Sequence, residues 1–436
     1  MNFTAALQSF VTRLESESHT TQLTLEEQID RFDPVSYLSF RELGTRFYWR
    51  DKELQNEILA LGTAWTGEKP ESVPAVFKSS RVYGGLKFSP VVAHGSPAPT
   101  PWSMFPERFF FIPTLEIHQT PSLSLLRVHV TEGQNQSLID LIRSLLSFET
   151  ISHHLPAVLK TSVNPERALW SSIFNKSIES IRQGNVQKIV LARQIHFDFD
   201  AKPDSVLSFI RLRESSPQCH AFFFSPDRGE SFFGASPERL YQRKGTKIVV
   251  DAIAGTRKRS AHPTEDQALT LELRDSSKDL LEHRFVKDWI CERLNQVCAN
   301  VRVTSEEQVL KLPSVQHLYS QIEADILGSI QDSILLELLH PTPALAGYPV
   351  PRALQQISQL EPFDRGWYGG VIGYSDSDSA DFTVCIRSAR TQGNSVIAYS
   401  GVGLVSSSDA TQEWNELDDK LFSMKEALGF SGRGFS

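Results

Sequence analysis

From residue 186 onward, strand-like runs follow one another with short connections, and this pattern constrains the fold more than any other feature of the chain. The run VQKIVLARQIHFDF at 186–199 is made of β-branched and apolar residues, and similar runs stand at 219–224, 246–253, 367–374, 382–389 and 396–403. Helical spacing is rarer. Residues 166–183 place Trp170, Ile173, Phe174, Ile178 and Ile181 on one face, and Gly184-Asn185 ends that helix. Longer helices are predicted at about 263–298, in one piece or two, and at 409–428. Strands and helices mixed in this way predict an α+β fold rather than a regular βαβ repeat.

The first 150 residues differ in texture. They hold short strand-like runs, a Pro-rich loop at 92–106 and the aromatic cluster Phe109-Phe110-Phe111, with polar residues thinly spread. This part is read as an N-terminal scaffold (1–150) and the region 160–430 as the chemical part, the two forming one integrated domain. A chain of 436 residues with 40% hydrophobic content can bury a core of that size.

Charge and cysteine content narrow the function. Lys plus Arg number 44 against 52 Asp plus Glu, a net charge of −8, which argues against a nucleic-acid or anionic-membrane surface and leaves room for a local cationic pocket. Four cysteines without a CxxC pairing argue against a disulfide framework or a zinc site. The N-terminus lacks a basic segment followed by an apolar stretch, and no run approaches the roughly 20 apolar residues of a membrane span. A soluble cytoplasmic protein is expected.

Four features stand out as candidate chemistry. Strand alternation puts Lys188 on the face of Val186, Val190 and Ala192, where burial would lower its pKa toward that of a general base; spacing alone still favours a strand-end lysine reaching solvent. Glu238 in Ala235-Ser-Pro-Glu-Arg-Leu240 can be held rigidly as an acid, or can pair with Arg239 or Arg243 at the surface. Asp279 and Glu282, and again Glu413 and Glu416, lie three apart on predicted helices; convergence of all four would suit a hard cation such as Mg²⁺, while each pair alone reads as a solvated helix face. Finally, Gly366–Gly373 and Ser400–Leu404 are glycine-rich strand edges without the following helix of a dinucleotide site. Arg387, on a strand between them, suits either bidentate capture of a carboxylate or a structural ion pair.

The wording and order of these segments resemble the chorismate-utilising enzymes: the anthranilate synthase large subunit, aminodeoxychorismate synthase, isochorismate synthase and salicylate synthase. The matching segments are Lys188-Ile-Val-Leu-Ala-Arg193, Ser236-Pro-Glu-Arg-Leu240, Ala252-Ile-Ala-Gly-Thr-Arg257, Asp279-Leu-Leu-Glu-His283 and Val315-Gln-His-Leu318, followed by His340-Pro-Thr-Pro-Ala344, Gly366-Trp-Tyr-Gly-Gly370, Cys385-Ile-Arg387, Ser400-Gly-Val-Gly403 and Glu413-Trp-Asn-Glu416. Residues 1–150 match only in length and general character.

The resemblance implies a large α/β sandwich of two antiparallel sheets flanked by helices, with the site between the sheets. It implies Mg²⁺ held by Glu282 and Glu416, with Asp279 and Glu413 assisting through water. Tyr368, Arg387 and the backbone at Gly401 and Gly403 would hold the enolpyruvyl carboxylate of chorismate, and Thr256 and His317 would line the ring region. Lys188 would be the base and Glu238 the acid. Ala254 stands where the amine-transferring branches carry lysine, which points to the water-using isochorismate synthase branch, of the menaquinone type by length. The rival readings are a salicylate synthase and a non-catalytic chorismate-binding protein. Two positions depart from the family pattern: Asp279 where glutamate is usual, and Ala252 where proline is usual. No organic cofactor and no glutaminase subunit are expected, and a monomer is.

Overall fold

The computed structural model describes residues 1–16, 23–88, 101–149 and 154–430; the Pro-rich loop expected at 92–106 lies outside them as far as residue 100. The strands assemble into two sheets, one of 12 strands and one of 9, and every pairing between strands is antiparallel. Helices flank them, as the resemblance implied. Strands from the first 150 residues form one end of each sheet, so the two parts of the chain share both sheets.

The helix expected at 166–183 is Arg167–Arg182, with Trp170, Ile173, Phe174, Ile178 and Ile181 buried. Gly184, at φ +76°, turns the chain out of it. The segment expected at 263–298 is two helices, Pro263–Asp275 and Ser277–Leu294. Ser276 divides them: it ends the first, and its side chain accepts from the Asp279 N–H to cap the second. The largest apolar cluster joins Trp170 and Phe174 to Ile189 and Leu191, Ile248 and Val250, and Val286 and Ile290.

Three expectations need correction. The strand placed at 382–389 is two strands, Ser379–Val384 in the smaller sheet and Ser388–Gln392 in the larger. Arg387 is therefore not on a strand but at the corner between sheets, with φ +51°. The run at 367–374 begins as a turn, and its strand is Val371–Ser375. The C-terminal segment 409–428 is split into Ala410–Asp419 and Phe422–Ala427. A long hairpin, Cys298–Lys311 with Val315–Ile326, was also not foreseen, because the outer strand buries little of either face.

A second corner lies beside the first. Phe232–Ser236 belongs to the larger sheet and Arg239–Lys244 to the smaller, and Glu238 sits between them. The corners are bonded to each other: Ala235 N–H donates to Arg387 O at 3.2 Å, and Val384 N–H to Glu238 O at 3.2 Å. Two neighbouring strands thus change sheets side by side, which opens room between the layers where they cross.

Candidate active site

A cavity of about 70 Å³ occupies that room. One wall comes from the larger sheet, where Val190 faces Gly403 and Ala192 faces Gly401 across paired strands. The other comes from the smaller sheet, where Thr256 faces His317. The register slips between Ala254 and Thr256, and Gly255 at the slip has φ +77°, so a bulge turns Thr256 toward the cavity.

Eight of the twelve residues expected at the site line this cavity: Glu238, Thr256, Glu282, His317, Tyr368, Arg387, Gly401 and Gly403. Lys188, Asp279, Glu413 and Glu416 do not; Lys188 adjoins it through Glu282 and Glu416 through Lys420. Ala254 also lines it, with no lysine in its place.

The acid end is set by burial. Glu238 is 3% exposed, and its carboxylate makes no hydrogen bond or ion pair with another described residue. Burial foremost, and then the charge of Asp251, push its pKa up to about 8 against the pull of Lys188, Lys52 and Lys420. It is therefore a carboxylic acid at neutral pH, facing a cavity.

The anion-binding end is set by Arg387. Its two Nη atoms donate to Lys420 O and His317 Nε2, each at 3.0 Å. A guanidinium can only donate, so Nε2 accepts and the proton lies on Nδ1, 3.2 Å from both Gly255 O and Thr256 Oγ1. Burial first, then Arg387 and Lys420, hold His317 down to about 3, which keeps it a neutral, oriented ring. Tyr368 is buried and stacks on Tyr399 at 5.1 Å. A Cβ at Gly401 would stand 2.6 Å from the Tyr368 hydroxyl, so only glycine allows that approach.

The four carboxylates each hold a basic partner. Glu282 Oε1 lies 3.1 Å from Lys188 Nζ, Asp279 Oδ2 2.9 Å from Arg257, Glu413 2.5 Å from Lys278 and Glu416 2.7 Å from Lys420. The Lys188 and Arg257 contacts are ion pairs by distance whose angles form no hydrogen bond, leaving Lys188 Nζ and both Asp279 oxygens without one; Glu413 Oε2 is likewise unbonded. Lys188 is 0% exposed, and its Cε packs against Gly403 on the cavity floor.

The acids converge on Lys278. Burial pulls its pKa down, but Glu413, Glu282 and Glu416 together raise it above the ordinary lysine value. Glu413, buried and beside the charge of Glu416, titrates above the usual carboxylate range, and Glu416 below it because Lys420 and Lys278 outweigh its burial. Among the described residues no three His, Cys, Asp or Glu groups stand close enough in this arrangement to clasp a metal. The donor set is nevertheless all oxygen, buried and partly unbonded, which fits a hard cation once the basic partners give way.

The sequence did not reveal those partners. Arg257 ends a matched segment but was given no role, and Lys278 and Lys420 carry no motif, although Glu416 and Lys420 are spaced i,i+4 on a helix and that pairing was readable. Arg365 also lines the cavity, but it is committed to Glu361, Leu345 O and Val190 O.

Residues 69–429 match the model of the chorismate binding enzymes. The chain belongs to that family. It is 29% identical to the isochorismate synthase MenF of Bacillus subtilis over 94% of each chain. MenF, the menaquinone-specific isochorismate synthase from Escherichia coli, superposes with a TM-score of 0.86 at 27% identity, covering 98% of this chain and 100% of that one. Anthranilate synthase component I from Streptococcus pneumoniae shares the fold, with a TM-score of 0.69 at 19% identity over 85% of this chain and 92% of that one. No helix among the described residues is long and apolar enough to cross a membrane.

Proposed function

We propose that this family member is an isochorismate synthase, a Mg²⁺-dependent isomerase that converts chorismate to isochorismate for menaquinone formation. The observation that carries the reading is Glu238, a buried carboxylic acid kept protonated at neutral pH and facing the cavity. Ala254 supports the water-using reaction, since no amine competes at that point of the wall. The menaquinone branch is supported by the match along 98% of this chain to a solved structure described as menaquinone-specific.

In this reading Arg387, Tyr368 and the backbone at Gly401 and Gly403 hold the enolpyruvyl carboxylate, with Thr256 and His317 beside the ring. Glu282 and Glu416 would hold Mg²⁺, with Asp279 and Glu413 further out. Bound there, the ion supplies positive charge to the ring carboxylate. Lys188 would act from its neutral amine form and take a proton from the water that attacks C2. Glu238 protonates the C4 hydroxyl as it leaves as water, and the ring double bonds shift. The proton gained by Lys188 and the one lost by Glu238 balance, so the net change is isomerisation.

The test is incubation of the purified protein with chorismate and Mg²⁺, resolving products by chromatography and assaying pyruvate with lactate dehydrogenase. Isochorismate without pyruvate is expected. Salicylate with equal pyruvate would move the chain to the salicylate-forming branch, and no product would overturn the enzymatic reading. EDTA should abolish turnover and added Mg²⁺ should restore it.

A further inference from the structure

The backbone that carries Glu238 is tied to the first part of the chain. The turn 51–56 connects Arg46–Arg50 to Glu57–Leu61 in the larger sheet. From this turn Lys52 forms an ion pair with Asp251 and also lies 3.5 Å from Pro237 O, the carbonyl just before Glu238. Asp251, 1% exposed, accepts from Arg239 N–H, just after Glu238, at 3.3 Å, and from the Tyr319 hydroxyl at 3.0 Å. The next residue of the turn, Glu53, takes both Nη atoms of Arg239 at 3.0 and 2.6 Å. The peptide units on both sides of Glu238 are thus anchored to one charged cluster, and half of that cluster comes from the turn.

We propose that Lys52 and Asp251 are positioning residues for Glu238, fixing its backbone and setting the balance of charge around its carboxyl group. The proposal rests on the reading of Glu238 as the general acid. The charged groups facing Glu238 are Asp251 from the strand Lys247–Lys258, Lys188 from the strand Lys188–Phe199, Lys52 from the turn and Lys420 after the helix Ala410–Asp419. Asp251 favours the protonated acid, and the three lysines oppose it.

An acid that works protonated loses activity as pH rises through its pKa, so the alkaline limb of the kcat profile reports on Glu238. Removing the negative charge in Asp251→Asn should move that limb to lower pH by roughly one unit, the low end of what a neighbouring charge does. Removing the positive charge in Lys52→Met should move it the opposite way, and Lys52→Arg should restore the wild-type position. A bracing role alone lowers activity without moving the limb in opposite directions. Lys52 has 15% of its side chain exposed, so Lys52→Met carries the test if Asp251→Asn does not fold. A limb that stays in place in the folded variants, while Glu238→Gln is inactive, overturns the positioning role. If Glu238→Gln keeps both turnover and the limb, the acid assignment itself falls.

Discussion

Glu238 should cost the fold stability, and the cost should depend on pH in a set direction. The group titrates near 4.5 in an unfolded chain and at about 8 when folded. Below about pH 4.5 both states hold the proton and the group is neutral to stability. Between 4.5 and 8 the unfolded chain releases the proton and the folded chain keeps it, so stability falls as pH rises and levels off above 8. At about 1.4 kcal/mol per tenfold change in proton affinity, the full gap is roughly 5 kcal/mol. Glu238→Gln keeps the shape and removes the titration. The variant should match the wild type near pH 4.5 and exceed it at pH 8.5, by roughly 2–5 °C in Tm at about 1 °C per kcal/mol for a chain of this length. Differential scanning fluorimetry across that range measures it. A constant separation between the two melting temperatures, or a wild type that gains on the variant with pH, would refute the burial argument.

Other expectations follow from the same contacts. Lys188→Ala removes the partner of Glu282 inside the protein, so it should lose most turnover and roughly 3 kcal/mol of stability, read by steady-state kinetics and chemical denaturation. Gly403→Ala would place a methyl 2.1 Å from Glu282 Oε1 and 2.8 Å from Lys188 Cε. That carboxylate must retreat by roughly an ångström, which should cost about 100-fold in kcat/KM and raise the Mg²⁺ concentration for half-maximal rate; unchanged values for both would show that Glu282 is not fixed there. Gly401→Ala meets the Tyr368 hydroxyl at 2.6 Å and should raise KM for chorismate more than it lowers kcat.

The parts of the site that were legible in the sequence are those whose neighbours along the chain decide them. Strand parity put Lys188 on an apolar face, but spacing alone favoured a strand-end lysine reaching solvent, and the structure corrects that: it is buried. Spacing put Asp279 and Glu282 on one helix face but read that face as solvated, whereas both are buried. What crosses between layers was not legible. The run 382–389 reads as one strand because its apolar pattern continues through Cys385-Ile386-Arg387 while the chain changes sheets. The hairpin 298–326 was missed because the outer strand alternates half-buried with exposed residues, many of them charged. The turn 51–56 looked like scaffold for a similar reason: Lys52 and Glu53 gain meaning only from Asp251 and Arg239, almost two hundred positions away.

The pairing of four acids with four bases has a thermodynamic consequence. Asp279, Glu282, Glu413 and Glu416 each stand against one base, Arg257, Lys188, Lys278 and Lys420, so a cation entering among the acids would have to displace those bases. A dication arriving alone would add two positive charges to a poorly solvated space, and a dicarboxylate arriving alone two negative ones. Together they add nothing. Each ligand should therefore tighten the binding of the other, by the same factor in both directions and by roughly tenfold or more. On the proposed reading, the site should then prefer the metal–substrate pair over either partner alone.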